Sequence, residues 1–329
     1  MKKIIYDLRW EGSHGIGRFS TEITKRIKFD KYFNAKVKPT SVFDVFVTGW
    51  TLLFTKDIYF TPGFNAQFIA AKRSIITIHD LNHIDTPGNS SLLKRIYYNL
   101  ILKRGCKKAL FILTVSEFSK NRIIEWSGVD SSKVIVVGNG VSSDFTPEVK
   151  PYEPGYKYLF CVSNRKSHKN EFRLIEAFAK VNADKNINLL LSGGATSELN
   201  ELIRGLNLQD RVKFTGFIKD SDLPSYYRGA VGLIMPSLYE GFGLPVIEAM
   251  ACGVPTIVSS TTSLGEIAAN ASLLIDPMRV DDIAHSIHKL FSDEELRKDL
   301  SRKGLEHVKL YTWDKTVEKI ERAISSIDI

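Results

Sequence analysis

Short runs of aliphatic and β-branched residues alternate along the chain with longer segments whose apolar positions recur every three or four residues. The runs Ile4–Leu8, Val42–Val47, Ser74–Ile78, Leu110–Val115 and Val134–Val137 predict strands in the first part. After a break the series resumes at Lys157–Val162, Ile187–Leu191, Val212–Thr215, Val231–Met235, Pro255–Ser259 and Leu273–Ile275. Strands that are apolar throughout and separated by helices are covered on both faces, which points to parallel sheets. The predicted fold class is α/β, doubly wound. The break, Asp144–Tyr156, carries three prolines and a glycine, a linker composition. It predicts two similar domains, 1–150 and 151–311, with ligands bound in a cleft between them. A last helix, 312–329, is expected to return to the first domain.

Composition narrows the class. With 329 residues, 43% hydrophobic and 25% charged, the chain is long enough for two cores and is neither disordered, collagen-like nor a disulfide scaffold. Its three cysteines, Cys106, Cys161 and Cys252, are too few and too scattered for a disulfide framework or a four-thiolate metal site, so a reducing, cytoplasmic setting is expected. Asp7 and Arg9 interrupt any N-terminal apolar stretch of signal-peptide type, and no apolar run approaches the ~20 residues that span a bilayer.

The net charge of +8 is unevenly spread. Residues 1–150 hold 23 Lys and Arg against 13 Asp and Glu, whereas the remainder is slightly acidic. A basic first half suggests an anionic partner: nucleic acid, a membrane surface or a phosphorylated substrate. Much of the excess lies in Ser90–Lys108, where Leu92, Leu93, Ile96, Tyr97, Leu100 and Ile101 recur at helical spacing beside Lys94, Arg95, Lys103, Arg104, Lys107 and Lys108. Such a helix fits contact with anionic lipid, and it equally fits an ordinary surface helix with one buried stripe.

The segment Met235–Ser259 carries the most chemistry. A strand ends near Met235, Gly241 and Gly243 permit a sharp turn, and a helix follows from about Leu244. Amides at a helix start form an anion site. Glu240 and Glu248 are placed to border one crevice, where carboxylates would face sugar or ribose hydroxyls, since beside phosphates they would repel. By spacing alone, a glycine turn with two solvated glutamates fits as well. Elsewhere, Gly15 and Gly17 start a dinucleotide-like pattern, but Ser20 replaces its third glycine, so no nicotinamide cofactor is expected. Asp220-Ser221-Asp222 is formally a metal-binding DxD. It precedes Leu223-Pro224 at a helix start, so it is read as a cap and no metal is predicted.

Met235–Ser259 closely resembles the EX7E segment of retaining GT-B glycosyltransferases of family 4, with Glu240 and Glu248 as its two glutamates. Other segments follow in that family's order: Gly15-Ile16-Gly17-Arg18, His79-Asp80-Leu81, Val115-Ser116-Glu117-Phe118-Ser119, Asn139-Gly140-Val141, Ser163–Asn170 and Thr215-Gly216-Phe217. The resemblance spans residues 1 to about 312. It implies two Rossmann-like domains, the first binding the acceptor and the second a nucleotide-sugar donor. It further implies that Glu248 meets the donor ribose, that Glu240 lies near the sugar hydroxyls, and that Phe242 and Gly243 offer backbone N–H groups. Arg165 and Lys169, with Lys166 a possible substitute for Arg165, would hold the diphosphate as its charge grows. Gly15, Gly17, Ser163, Phe217, Gly241 and Leu244 complete the implied donor site. His79 would reach a sugar hydroxyl from the end of its strand, and His14, Arg18, Asp80 and Ser116 are acceptor-side candidates, Asp80 being better suited to capping its loop than to acting as a base.

The expected activity is transfer of a hexose from a nucleoside-diphosphate sugar, GDP-mannose or a related GDP-sugar favoured, to a glycan acceptor that is lipid-linked. No cofactor is expected and nucleic acid is not an expected partner. The setting would be cytoplasmic, peripheral at the inner membrane face through 90–108. A GT-B-fold sugar-nucleotide epimerase or a nucleic-acid-binding protein are the rival readings.

Overall fold

The computed structural model describes residues 3–12, 15–41, 43–67, 69–86, 92–181 and 187–327. It divides into two compact units, Met1–Gly140 with Trp313–Ile329, and Val141–Thr312. The chain therefore passes from one unit to the next at Gly140, ten residues before the boundary expected from the proline-rich stretch, which belongs to the second unit.

The first unit begins with β1 (Ile4–Asp7), α1 (Gly15–Thr24), β2 (Lys31–Phe33), α2 (Asp44–Leu53), β3 (Ile58–Thr61) and β4 (Ser74–Thr77). It continues through α3 (Asn82–Asp85), α4 (Leu92–Ile96), a π-helical turn at Tyr97–Leu102, α5 (Lys103–Lys108), β5 (Phe111–Thr114), α6 (Glu117–Ser127) and β6 (Val134–Val136). Its sheet runs β2-β1-β3-β4-β5-β6, all parallel.

The second unit holds β7 (Lys157–Cys161), α7 (Glu171–Lys180), β8 (Ile187–Leu191), α8 (Ser197–Gly205), β9 (Val212–Phe214) and α9 (Leu223–Arg228). Then come β10 (Gly232–Met235), α10 (Leu244–Ala251), β11 (Thr256–Ser259), α11 (Thr262–Ala268), β12 (Leu273–Ile275), α12 (Val280–Ser292) and α13 (Glu294–Val308). Its parallel order, β12-β11-β10-β7-β8-β9, is that of a dinucleotide-binding Rossmann sheet. The last helix, α14 (Trp313–Ser325), returns to the first unit, where Trp313, Val317 and Ile320 join Phe19, Tyr6 and Phe60 in one buried cluster. Each such fully buried large side chain contributes roughly 1.5–3 kcal/mol.

Two readings of the pattern need correction. The run Val42–Val47 is not a strand; from Asp44 it is the first half of α2, and Val42 lies outside the described residues. The β-branched composition suggested a strand, but the segment turns Asp44, Thr48, Gly49 and Leu52 inward at helical spacing. Strands β2 and β3 take the two sheet positions beside β1 instead. The stripe expected between Ser90 and Lys108 is also placed differently. Ser90 and Ser91 lie outside the described residues, and Leu92, Leu93, Ile96 and Leu100 are exposed, while Tyr98, Leu102, Gly105 and Cys106 are buried. The stretch before the π turn buries no residue, and the inward face begins at the turn, where Tyr97 and Ile101 are partly buried beside Tyr98 and Leu102. Among the described residues no helix is long and apolar enough to cross a membrane.

The three cysteines are free and buried. Burial pushes each thiol up to about 12, which leaves it protonated and unreactive at neutral pH.

Candidate active site

In an open parallel sheet, ligands bind where the strand order reverses, at the carboxyl ends of the two strands flanking the switch. In the second unit those strands are β7 and β10, which pair side by side. The two segments that carry the expected donor chemistry, Ser163–Asn170 and Pro236–Gly243, are the loops that leave these strands. They are joined by three contacts. His168 O accepts a hydrogen bond from Leu238 N at 2.7 Å. Asn170 Nδ2 donates to Pro236 O at 3.0 Å and to Pro277 O at 2.7 Å. Lys169 Nζ lies 2.7 Å from Glu240 Oε1, with both side chains 14% exposed. An ammonium has three donors, so one directed at Glu240 leaves two for an anion. Asn170 starts α7 with φ +60°, a left-handed conformation that Asn tolerates better than most residues. This strap was missed in the sequence, although an Asn directly before a helical run is its visible signal.

Glu240 is further fixed through its backbone, since its carbonyl accepts from Ser263 Oγ at 2.8 Å. Gly241 follows, buried in the turn, and Gly243 caps α10 at φ +100°, where an added Cβ would lie 2.5 Å from Leu264 Cδ2. Only glycine fits there. Leu244 is the first residue of the helix. The Phe242 ring is 5% exposed and meets Tyr311 edge-on at 5.7 Å, so only the backbone of Phe242 is available to a ligand.

Glu248 is less exposed than expected. It is 3% exposed and accepts a hydrogen bond from Tyr227 Oη at 2.8 Å. That bond fixes the orientation of the carboxylate. Tyr227 comes from α9, and no spacing rule links it to Glu248.

Arg165 is also placed differently from a simple diphosphate ligand. Its backbone is left-handed, at φ +62°. Its guanidinium donates to Gly194 O at 2.7 Å, to Ser192 O and to Glu171, and it stacks 5.1 Å from the Phe214 ring. These contacts tie the loop after β7 to the loop after β8. Ser163 belongs to the same joint, its N–H donating to Ser192 Oγ at 2.9 Å. Lys166, next along, is exposed. Phe217 is 88% exposed, beyond Gly216, which pairs with Gly193 through two backbone hydrogen bonds. Asp222 stands at the N-cap of α9, as predicted, with Pro224 in the first turn, but its side chain makes no capping hydrogen bond.

In the first unit the switch lies between β1 and β3. Here the structure reveals a buried network that the motifs did not indicate. Arg9 bridges Asp7 at 2.7 Å and Asp44 at 2.5 Å, with the Arg9 side chain only 3% exposed. Asn65 Nδ2 donates to Asp7 and Asp44, and Tyr59 Oη donates to Asp7. Burial beside these two carboxylates holds the Tyr59 phenol well above its ordinary pKa.

Nearby, Gly15, Gly17 and Arg18 form the first turn of α1 rather than a loop. A Cβ at Gly17 would strike Gly12 O at 2.2 Å, so this glycine admits the chain's own backbone. His14 lies outside the described residues. His79 Nε2 is 2.9 Å from Pro62 O, which only accepts, so Nε2 carries a proton. The Phe19 ring packs edge-on against it at 5.0 Å. Asp80 Oδ1 accepts from Asn82 N at 3.0 Å, the predicted capping contact. Ser116 caps α6, its Oγ accepting from Ser119 N at 3.1 Å, and Ser119 Oγ donates to His79 O at 3.0 Å.

Two Rossmann-type units, one with a Lys–Glu pair and a glycine-opened helix at its switch point, define a two-domain α/β GT-B fold. The sequence matches the family described as "Glycosyl transferases group 1" over residues 142–307 and "Glycosyltransferase Family 4" over residues 57–145. The chain belongs to glycosyltransferase family 4 and is a glycosyltransferase.

It is 30% identical over 280 residues to O-antigen chain mannosyltransferase B of Escherichia coli, covering 80% of this chain and 73% of the relative. It is 32% identical over 209 residues to O-antigen chain mannosyltransferase RfbU of Salmonella typhimurium, covering 63% of this chain and 57% of the relative. Among solved structures, HepE of Anabaena in complex with UDP and glucose superposes with a TM-score of 0.79 at 18% identity, covering 99% of this chain and 100% of that one.

Proposed function

We propose that the chain is a retaining transferase that moves mannose, from GDP-mannose or a related GDP-sugar, to a lipid-linked glycan acceptor in the synthesis of a cell-surface polysaccharide. The observation that carries this reading is the Lys169–Glu240 pair at the β7/β10 switch, beside the start of α10. The donor diphosphate takes the two remaining Lys169 donors and the amides around Phe242 and Gly243. As the glycosidic bond breaks, negative charge grows on the leaving phosphate, and this fixed cation and the helix start stabilise it. Glu240, held by Lys169, faces the sugar hydroxyls, and Glu248, oriented by Tyr227, takes the ribose diol. Phe217 offers an exposed ring to the base. Arg165 acts by bracing the loops, and the exposed Lys166 is the second cation.

Attack from the face of the departing phosphate lets that phosphate take the acceptor proton, so no protein base is required. The reading includes no metal. His79, its ring oriented by Pro62 and Phe19, hydrogen-bonds a hydroxyl of the bound sugar and takes no proton from it. The preference for mannose rests on the names of the two mannosyltransferase relatives. A lipid-linked acceptor accords with the basic, apolar surface of 92–108, which would rest on an anionic membrane at the cytoplasmic side.

A thermal-shift panel of GDP-, UDP-, dTDP- and ADP-sugars tests class and donor together. GDP-mannose should give the largest rise in Tm, and turnover should survive EDTA. A larger rise with a UDP-sugar would replace the donor, and loss of turnover on chelation, restored by Mg²⁺ or Mn²⁺, would overturn the metal-free mechanism.

A further inference from the structure

The inward face of helix α2 carries Asp44 and Thr48, buried in the Arg9 network, beside Gly49 and Leu52, and its outward face is apolar. Phe46 is 73% exposed, Trp50 66%, Leu53 50% and, one residue past the helix, Phe54 76%. These positions fall on one side at helical spacing, and the Trp50 and Phe54 rings meet edge-on at 5.7 Å. Leu92, Leu93, Ile96 and Leu100 of the helical stretch before α5 are exposed too. Aromatic and aliphatic side chains exposed together on one helix face mark an interaction site rather than scattered exposure.

Both helical stretches contact the chain between Phe64 and Ile69. Asn65 donates to Asp44 at the start of α2, and Ile69 packs over Gly49. From the second stretch, Tyr97 Oη accepts from Ala66 N and donates to Phe64 O, both at 3.0 Å, and Ala66 presses on Gly105. The charge of the region selects the occupant. Residues 45–116 contain nine Lys and Arg and only three Asp and Glu, so the surface suits an anionic partner with an apolar interior. Lys56, Lys72, Arg95 and Lys107 are among its exposed cations.

We propose that the outward face of α2 is the element that enters the membrane interface, lying in the headgroup layer of an anionic bilayer while the 92–108 helix supplies the electrostatic attraction. This rests on the membrane reading given above for 92–108 and adds a separate element to it. Aromatic side chains settle at the boundary between headgroups and acyl chains, and cations beside them add attraction that falls off within a Debye length. The enzyme would thus hold its first unit at the surface to which a lipid-linked acceptor is confined.

Trp50 makes the idea measurable, because it is the one exposed tryptophan of the four; Trp10 and Trp313 are buried and Trp126 is half-buried. The full chain is mixed with phosphatidylcholine vesicles, with and without phosphatidylglycerol, and sedimentation is followed together with fluorescence. With the anionic vesicles, emission should shift to the blue and be quenched by brominated lipid, and Trp50→Phe should remove that response while preserving binding. Phe46→Ser with Phe54→Ser should weaken sedimentation about tenfold or more, while leaving Tm and transfer to a soluble acceptor unchanged, since both rings are exposed. Changing Lys103, Arg104, Lys107 and Lys108 to Gln should weaken it through the charge instead.

Salt-sensitive binding with Trp50 unquenched would overturn the role of α2 and leave the membrane reading standing. No binding to either vesicle would overturn both. Burial of Trp50 in a dimer formed without lipid would assign the face to a second copy of the chain and overturn the proposal.

Discussion

Each unit reverses its strand order at one place, and at each place a cation sits against carboxylates. Between β1 and β3 the cation is Arg9, 3% exposed, pinned by Asp7 and Asp44, which are themselves 0% and 2% exposed. Between β7 and β10 it is Lys169, paired with Glu240, each 14% exposed. The chemistry of the pairs is alike, and their accessibility separates them. A guanidinium whose donors are taken up by two carboxylates, a backbone carbonyl and nearby hydroxyls has nothing to offer a ligand, so the first cluster fixes the chain around Trp10 and Asn65. An ammonium with one carboxylate partner and access to solvent retains donors for a phosphate. The difference teaches that the residue type at a switch point does not assign a role; the number of partners already satisfied does.

The largest effect should come from the closed cluster. Arg9→Met leaves two buried carboxylates without their cation, and breaking a buried pair of this kind costs about 3–5 kcal/mol. Urea unfolding should show that loss, with the donor KM of the folded fraction unchanged. A stability change below about 1 kcal/mol would mean that the network is open to water and that the contrast is false.

A somewhat smaller effect, of another kind, is expected at the open pair. Lys169→Ala should lower kcat about 10²- to 10³-fold, or about 2.7–4 kcal/mol, by analogy with removal of a preorganised donor, with a lesser change in donor KM. Tm should move little, because Glu240 can rehydrate at 14% exposure. If the loss fell wholly on KM, Lys169 would bind the ground state and the transition state equally.

The fold was legible because its buried strands announce themselves as apolar runs, and the site because Glu240, Gly243 and Lys169 lie in contiguous segments. What escaped has identifiable causes. Strand β2 is three residues long with Lys31 and Tyr32 exposed, so no apolar run marks it. Helix α2 reads as a strand because Asp44 and Thr48 face inward while Phe46, Trp50 and Leu53 face outward, which blurs the pattern by which amphipathic helices are recognised. The 92–108 stretch buries residues only from the π turn at Tyr97–Leu102 onward, and 3.6-residue spacing does not anticipate that turn. The burial of Glu248 under Tyr227 and the commitment of Arg165 to Ser192, Gly194 and Glu171 are tertiary facts, settled by which loops meet.

The central claim is that donor nucleotide binds at the open switch and not at the closed one. Amide hydrogen exchange, with and without saturating GDP-mannose or whichever sugar nucleotide gives the largest thermal shift, tests this most directly. Slowed exchange should appear in 163–170 and 236–243 and be absent from 8–12 and 62–67. Protection in 8–12 or 62–67 with none around Lys169 and Gly243 would contradict the account.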